Sequence, residues 1–226
     1  MLKKIMNKNI FKNRIFGRTK SRNISKIKIE NYYNLLEKYK FFEINKFKDY
    51  ILDIGSGNGE TTLYLSQKYP EKIIIACDKY INGNYNLLKT IQDKKIKNIS
   101  IYDGNVHDIF DTYGGKIYFE LVWIFFPDPW PKKKHNKRRL LTSSFLKKIY
   151  NHTNNKSSIY LITDSTSYIK DILKNIYNCK HMFKWTNQNK AHLDLKDYYD
   201  LETKFYKKAI ISGRNPLLFT LEKIYT

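Results

Sequence analysis

The stretch YILDIGSGNGE, residues 50–60, joins a short apolar run to three alternate glycines and then to polar residues. This order predicts a β-strand, a glycine loop and an α-helix that begins near Glu60. Gly55, Gly57 and Gly59 would let the backbone approach a ligand closely, and the helix N-terminus would offer free N–H groups. A dinucleotide-binding motif needs glycine at position 60, so nicotinamide and flavin binding are disfavoured, and a P-loop lysine is absent.

Further apolar runs on both sides of this unit alternate with helical patterns. This alternation predicts an α/β fold with a Rossmann-like, mainly parallel sheet flanked by helices. Polar residues lie at or near the ends of five such runs: Asp53, Asp78, Asn105, Asp128 and Asp164. Because the carboxyl ends of parallel strands share one edge of a sheet, the five residues predict a binding site there. Asp78 would accept the hydroxyls of a ribose or cap the next helix, and Asn105 has an amide suited to adenine.

A second informative stretch is FFPDPWPKKKHNKRR, residues 125–139, in which an apolar run stops at Pro-Asp-Pro. Six Lys or Arg residues follow within residues 132–139. Asp128 has two interpretations, a turn residue between prolines or a functional acid. The cationic run is either a solvated face, a localisation signal or a phosphate-binding surface. Its position directly after a strand-end acid favours a reaction centre beside a phosphate-binding surface.

The overall charge also favours a polyanionic partner. The chain has 226 residues, with 42 Lys and Arg against 21 Asp and Glu, a formal net charge of +21. An AT-rich coding composition would also explain many of the lysines. The arginines are more informative because they are few and bind phosphate bidentately, and five of the six lie in two clusters: Arg14, Arg18 and Arg22, and Arg138 and Arg139.

Composition also limits the architecture. No apolar stretch approaches 18 residues, and two cysteines give neither a disulfide framework nor metal-ligand spacing, so a reducing compartment is expected. Residues 1–28 are basic and predict a flexible arm, which is either a disordered tail or a segment that folds onto RNA. Residues 29–226 predict one domain, beginning with a helix over 29–47.

The chain resembles the bacterial tRNA (guanine-N7-)-methyltransferases, a class I family that depends on S-adenosylmethionine. The resemblance spans roughly residues 14–222 and rests on Phe-Pro-Asp-Pro-Trp followed by Lys-Lys-x-His-Asn-Lys-Arg-Arg, on Asp164 after a strand, and on Thr203-Lys204-Phe205. It implies a seven-stranded class I fold and methyl transfer to N7 of a guanine in the variable loop of tRNA. It also implies a cytoplasmic monomer or homodimer that binds tRNA, with neither membrane nor metal.

The resemblance assigns roles to individual residues. Asp128 would be the active-site acid. The cofactor-binding residues would be Asp53, Gly55, Gly57, Gly59, Asp78, Asn105, Val106 and Asp128. The substrate-binding residues would be Lys132, Asp164, Thr203, Lys204, Phe205 and Tyr206. The RNA-binding residues would be Lys134, His135, Asn136, Lys137, Arg138 and Arg139.

Asp53 stands where the family commonly has Glu and Asn105 where members often have Asp, and the sequence departs from the family pattern in three further places. Pro131 stands where many members have His, Tyr206 where Glu is usual, and residues 211–216 replace a glycine-rich aromatic tail. Guanine N7 has a free lone pair and needs no general base, and accordingly none of the five histidines is predicted to be catalytic. Two alternatives stay open: a noncatalytic RNA-binding protein on this fold, and an S-adenosylmethionine-dependent methyltransferase with another acceptor.

Overall fold

A computed structural model describes residues 16–41, 44, 49–187 and 202–225 of the chain. Arg14 and His192 therefore lie outside the described residues. The strands are β1 (Tyr50–Ile54), β2 (Ile73–Cys77), β3 (Ile99–Tyr102), β4 (Phe119–Phe125), β5 (Thr153–Thr163), β6 (Phe183–Trp185) and β7 (Leu217–Lys223). The α-helices are α1 (Lys26–Tyr39), α2 (Glu60–Lys68), α3 (Ile81–Asp93), α4 (Val106–Tyr113), α5 (Ser143–Asn151), α6 (Thr166–Asn178) and α7 (Lys204–Ile211). A 3-10 helix spans Lys133–Arg138.

The seven strands form one sheet in the order β3-β2-β1-β4-β5-β7-β6. Strands β1 to β5 pair in parallel, whereas β7 runs antiparallel to β5 and to β6. This confirms the predicted Rossmann-like, mainly parallel seven-stranded sheet. The strand order reverses between β1 and β4, where Asp53 lies beside Trp123. In open α/β sheets, ligands bind in the crevice at the carboxyl ends of the strands at such a reversal.

The central strands are buried on both faces, which explains their continuous apolar runs. In β1, Leu52 packs into the apolar layer on one face of the sheet and Ile51 into the layer on the other. Trp123 of β4 is fully buried and stacks on Phe125, with ring centroids 4.3 Å apart. The result is a three-layer domain in which the carboxyl ends of the strands, and not the faces of the sheet, are available for ligands.

Several element boundaries differ from the sequence prediction. The first helix spans Lys26–Tyr39, and it begins there because the Ser25 hydroxyl accepts a hydrogen bond from the Lys28 N–H at 3.2 Å. Helix α4 follows Asn105, whose side-chain oxygen accepts a hydrogen bond from the His107 N–H at 3.0 Å, and the first residue of the helix, Val106, is buried.

The described end of the predicted arm packs on the domain. The Thr19 carbonyl accepts a hydrogen bond from the Ile81 N–H at 2.9 Å, and the Ser21 N–H donates to the side-chain oxygen of Asn82 at 2.9 Å. Thr19 and Ser21 thus contact α3, and α1 begins at Lys26. In the described ranges, no helix has the length and apolar character that crossing a bilayer requires.

Candidate active site

The glycine loop is supported from below by a buried acid. Asp53 is 1% exposed, and its Oδ2 accepts hydrogen bonds from the hydroxyls of Thr61 and Thr62, both at 2.6 Å. Burial raises the pKa of Asp53 to about 6, although the two hydroxyls oppose the shift, and the charge of Asp78 adds to it. Asp53 therefore ties β1 to the first turn of α2. Its direct contact with a cofactor stays a prediction.

A second acid, Asp78, is hydrogen-bonded to the same glycine loop. Asp78 accepts hydrogen bonds from the Gly57 N–H and from the Tyr80 N–H, both at 2.9 Å. A carboxylate can accept about four hydrogen bonds, so Asp78 keeps capacity for a ligand. The neighbouring Ser56 hydroxyl is buried and has no hydrogen-bond partner within the described part of the chain. A Cβ at Gly55 would meet nothing within 4 Å, so space lies open above the loop.

These observations fit a polar cofactor. Buried hydroxyls are normally hydrogen-bonded, and an unpartnered one beside open space is a place where a ligand supplies the missing partner. Asp78 at the end of β2 is suited to ribose hydroxyls. The α2 N-terminus has Gly59 at its cap without a side-chain hydrogen bond, which leaves backbone N–H groups for an anionic group. S-adenosylmethionine has both features, a ribose and a carboxylate.

The loop after β4 has a strained backbone at both ends. Phe126 has φ +50° and Trp130 has φ +42°, in the left-handed region that bulky residues rarely adopt. Phe126 is fixed through its N–H, which donates to the Ile162 carbonyl at 2.8 Å. The guanidinium of Arg139 donates to the carbonyls of Pro129 at 2.8 Å and Trp130 at 3.4 Å. The loop that presents Asp128 is thus held from both sides.

Asp128 itself is exposed at the crevice between β1 and β4. Within the described ranges, no group donates a hydrogen bond to its carboxylate. The protein around this carboxyl group raises its pKa by partial desolvation, and the charge of Asp78 raises it further. The structure therefore brings Asp128, Asp78 and the glycine loop to one edge, with the Asp128 carboxylate available for a substrate.

The residues of the cationic run, 132–139, differ in exposure and in their contacts because most of the run forms the 3-10 helix. Lys132, Lys133, Lys134 and Lys137 are exposed. His135 is half-buried and meets the Trp130 ring edge-on, with centroids 5.9 Å apart. The Asn136 amide nitrogen, in the orientation that its surroundings require, lies 3.2 Å from the Trp130 and Lys132 carbonyls and donates to both. Asn136 thus supports the loop itself.

The two adjacent arginines have different roles. The guanidinium of Arg138 lies over the rings of Phe16 at 5.3 Å and Trp130 at 4.9 Å. Arg139 is 5% exposed; its guanidinium pairs with Asp171 and also donates to the hydroxyl and carbonyl oxygens of Ser167. The five N–H groups of Arg139 are hydrogen-bonded within the protein, and its contact with RNA stays a prediction. Arg139 stabilises the loop.

The N-terminus of α7 borders the site from the other side. Phe205 is 57% exposed, and its ring lies nearly parallel to that of Phe126, with centroids 6.2 Å apart. The Lys204 N–H donates to Glu60 of α2 at 2.9 Å, which attaches α7 to the helix that follows the glycine loop. Phe205 and Lys204 therefore lie at the predicted substrate side.

Two residues of this segment that were predicted to bind substrate, Thr203 and Tyr206, have structural roles. Thr203 is buried, and its hydroxyl accepts from the Tyr206 N–H at 3.1 Å as the α7 cap. Tyr206 is 7% exposed and packs in the core beside Leu218. Both side chains therefore build the helix and its packing, and neither presents a surface to a substrate.

Asp164 follows β5 at the same edge, where its Oδ2 accepts from Arg214 Nε at 2.7 Å. Arg214 belongs to the segment that departs from the family pattern, and sequence reasoning assigned it no role. Sequence reasoning also missed Phe16, Gly17 and Glu60. Phe16 and Gly17 lay in the predicted arm, and the only signal for them was a short aromatic-glycine step between Arg14 and Arg18. The described ranges contain no group of three or more His, Cys, Asp or Glu side chains arranged to hold a metal ion.

Comparisons with known proteins agree with this geometry. Residues 48–217 match the model of a family described as "Putative methyltransferase". The chain is similar to the tRNA (guanine-N(7)-)-methyltransferase of Buchnera aphidicola subsp. Schizaphis graminum (strain Sg), with 34% identity over 76% of this chain and 72% of that protein. It is also similar to the tRNA (guanine-N(7)-)-methyltransferase of Buchnera aphidicola subsp. Acyrthosiphon pisum (strain 5A), with 32% identity over 92% of this chain and 89% of that protein.

Solved structures share the fold at low sequence identity. The 16S rRNA methyltransferase KamB has a TM-score of 0.58 and 13% identity, covering 91% of this chain and 96% of that one. An rRNA methylase from Streptococcus thermophilus has a TM-score of 0.52 and 15% identity, covering 94% of this chain and 100% of that one. These likenesses show the fold.

Proposed function

Because the chain belongs to the tRNA (guanine-N(7)-)-methyltransferase family, we propose that it transfers the methyl group of S-adenosylmethionine to N7 of a guanine in tRNA. The observation that supports this most is the position of Asp128. Its free carboxylate lies between a glycine loop suited to the cofactor and a surface of exposed lysines. A noncatalytic RNA-binding protein would have no need for this adjacency.

The cofactor would be held by residues that have unused hydrogen-bonding capacity. Asp78 would accept from the ribose hydroxyls, the Ser56 hydroxyl would gain its missing partner, and the N–H groups at the α2 N-terminus would bind the carboxylate. When bound, S-adenosylmethionine supplies an electrophilic methyl group on a sulfonium. Asn105 and Val106, at the start of α4, would border the adenine.

The chemistry at guanine requires orientation more than proton transfer. N7 carries a lone pair in the neutral base, so no proton has to leave before the methyl group is transferred. The Asp128 carboxylate would accept from the N1–H and N2–H₂ groups, which lie on the opposite edge of the purine from N7. Binding that edge therefore turns N7 toward the methyl donor. The positive charge left on the methylated base strengthens the same hydrogen bonds.

The target base has to leave its stack to reach Asp128. Extrusion of a base costs a few kcal/mol, and stacking on an aromatic side chain returns about 1–3 kcal/mol. Phe205 is an exposed aromatic ring at the mouth of the site, with Phe126 parallel to it. We assign Phe205 as the stacking surface for the target guanine. Asp164, held by Arg214, would contact the same nucleotide.

The rest of the tRNA would be bound through its phosphates. Lys132, Lys133, Lys134 and Lys137 are exposed beside Asp128 and suit a sugar-phosphate backbone. The target position in the variable loop, action in the cytoplasm and a monomeric or homodimeric state belong to this proposal.

The decisive experiment measures methyl transfer from labelled S-adenosylmethionine to unmodified tRNA, followed by chain cleavage at N7-methylguanosine. Label at a guanine N7 is expected with the wild-type chain, and its loss in Asp128→Asn, because the amide would place a donor against the N1–H and N2–H₂ groups. Label elsewhere would identify another acceptor. Failure to bind S-adenosylmethionine in calorimetry would leave the noncatalytic RNA-binding protein.

A further inference from the structure

The described part of the N-terminal segment lies across the candidate active site. We call residues 16–21 the strap. At its start, the Phe16 ring meets Trp130 edge-on, with centroids 6.4 Å apart, and Arg138 covers both rings. At its end, the backbone of Thr19 and of Ser21 is hydrogen-bonded to the first turn of α3. The strap therefore joins the loop after β4 to the helix that follows Asp78.

Gly17 lies between these two attachments and against the Asp128 carboxylate. A Cβ built at Gly17 would be 2.9 Å from Oδ2 of Asp128, closer than real Cβ contacts. The backbone at Gly17 has φ +104°, a conformation that residues with a side chain rarely adopt. The backbone conformation therefore favours glycine at position 17, and a side chain there would displace the Asp128 carboxylate.

The orientation of the Asp128 carboxylate depends on its contact with Gly17. No described group donates a hydrogen bond to its carboxylate, so hydrogen bonding within the described ranges does not orient it. Pro127 and Pro129 restrict its backbone. The remaining constraint on the side chain is steric, and Gly17 is in position to supply it.

We propose that Gly17 is a positioning residue for methyl transfer: the strap, fastened at both ends, places the Gly17 backbone against the Asp128 carboxylate and sets the direction in which that carboxylate meets the guanine. The inference rests on the proposed function for its consequence, but the contact itself concerns only the chain. A side chain at position 17 would turn the carboxylate away while the glycine loop, Asp78 and the exposed lysines keep their places.

The test compares Gly17→Ala with Gly115→Ala. Gly115 has φ +73°, lies between α4 and β4 at the opposite edge of the sheet, and has nothing within 4 Å of a built Cβ. Both variants carry the strain of alanine at positive φ, but only Gly17→Ala meets a carboxylate. We expect a fall in kcat of at least about tenfold for Gly17→Ala, with KM for S-adenosylmethionine and Kd for tRNA within about twofold of wild type, and no fall for Gly115→Ala.

A second measurement does not depend on activity. In protein labelled with ¹³C at the aspartate carboxyl groups, the Asp128 signal is the one missing from Asp128→Asn. We expect it to shift in Gly17→Ala and to stay in place in Gly115→Ala. Equal kcat in the two glycine variants, or an unmoved Asp128 signal in Gly17→Ala, would overturn the inference. A wild-type chain that methylates no tRNA guanine would refute the proposed function, and the carboxyl signal would still decide whether Gly17 positions Asp128.

Discussion

Replacement of Arg139 by lysine should loosen the loop that presents Asp128. Lysine keeps the charge opposite Asp171, but its single ammonium cannot serve the carbonyls of Pro129 and Trp130 together with Ser167. Two loop carbonyls then lose a charged donor, at about 1.5 kcal/mol each. The expected loss of unfolding free energy is about 3 kcal/mol, or roughly 6–12 °C in Tm for a chain of this length.

The assay for Arg139→Lys pairs thermal unfolding with kcat on tRNA. Both Tm and kcat should fall, because the strained loop relaxes and Asp128 loses its position. Arg138→Lys is the matched control, since the contacts of the Arg138 guanidinium in the described part of the chain are with aromatic rings, and its exchange should cost about 0.5–1 kcal/mol. If Arg139→Lys unfolds within about 2 °C of wild type and keeps its kcat, the guanidinium does not hold the loop and the reasoning fails.

Three further predictions concern separate parts of the site. Asp53→Asn should remove a pH-dependent destabilisation. The folded-state pKa of about 6 exceeds the ordinary aspartate pKa of 3.8, so wild-type stability declines as pH rises from about 4 to 6, and relative to wild type the variant should gain up to roughly 3 kcal/mol of unfolding free energy over that range in urea titrations. Phe205→Leu should lower kcat/KM about 5- to 150-fold by loss of base stacking, with little change in Tm. Lys133→Gln with Lys134→Gln should make the dependence of log Kd for tRNA on log salt shallower by about 1.5.

Each of these three predictions has a control variant or a result that would contradict it. For Asp53→Asn, an unchanged difference from wild type between pH 4 and pH 7 would contradict the pKa shift. Phe205→Trp should retain the activity that Phe205→Leu loses; equal loss in both would argue against stacking. Lys94→Gln with Lys95→Gln, at the end of α3 on the opposite edge of the sheet, should leave the salt dependence unchanged, and an equal effect there would indicate general charge attraction.

The sequence predicted the strands of the parallel half of the sheet well because strands covered on both faces have simple patterns. The apolar run before the glycine loop forms β1, and the five polar residues named from the sequence lie at or after the carboxyl ends of β1 to β5. Where burial is one-sided, the pattern is weaker. In β5, the stretch 154–156 is exposed, so no apolar run indicates the first residues of the strand. In α7, only Tyr206 and Ala209 are buried, too narrow an apolar stripe to be found.

The roles of Arg138 and Arg139 could not be separated from the sequence. Both are arginines at the end of one cationic run, and composition treats them alike. Their difference arises at the end of the 3-10 helix, where Arg138 is the last helical residue and Arg139 follows in extended conformation, with its side chain among Pro129, Trp130 and Ser167. Three-dimensional context, and not residue type, makes one a cover for aromatic rings and the other a structural residue.

The strain of the Asp128 loop explains why so many side chains converge on it. Positive φ at Phe126 and at Trp130 costs about 1–3 kcal/mol each, and such strain persists only where surrounding contacts compensate for it. On one side the compensation is the Phe126 N–H bonded to β5; on the other it is Arg139, bonded to the backbone. These anchors lie on either side of Asp128 and do not involve position 131. Pro131 is exposed and precedes the 3-10 helix. The presence of proline here, where many family members have His, therefore leaves the position of the Asp128 carboxylate intact.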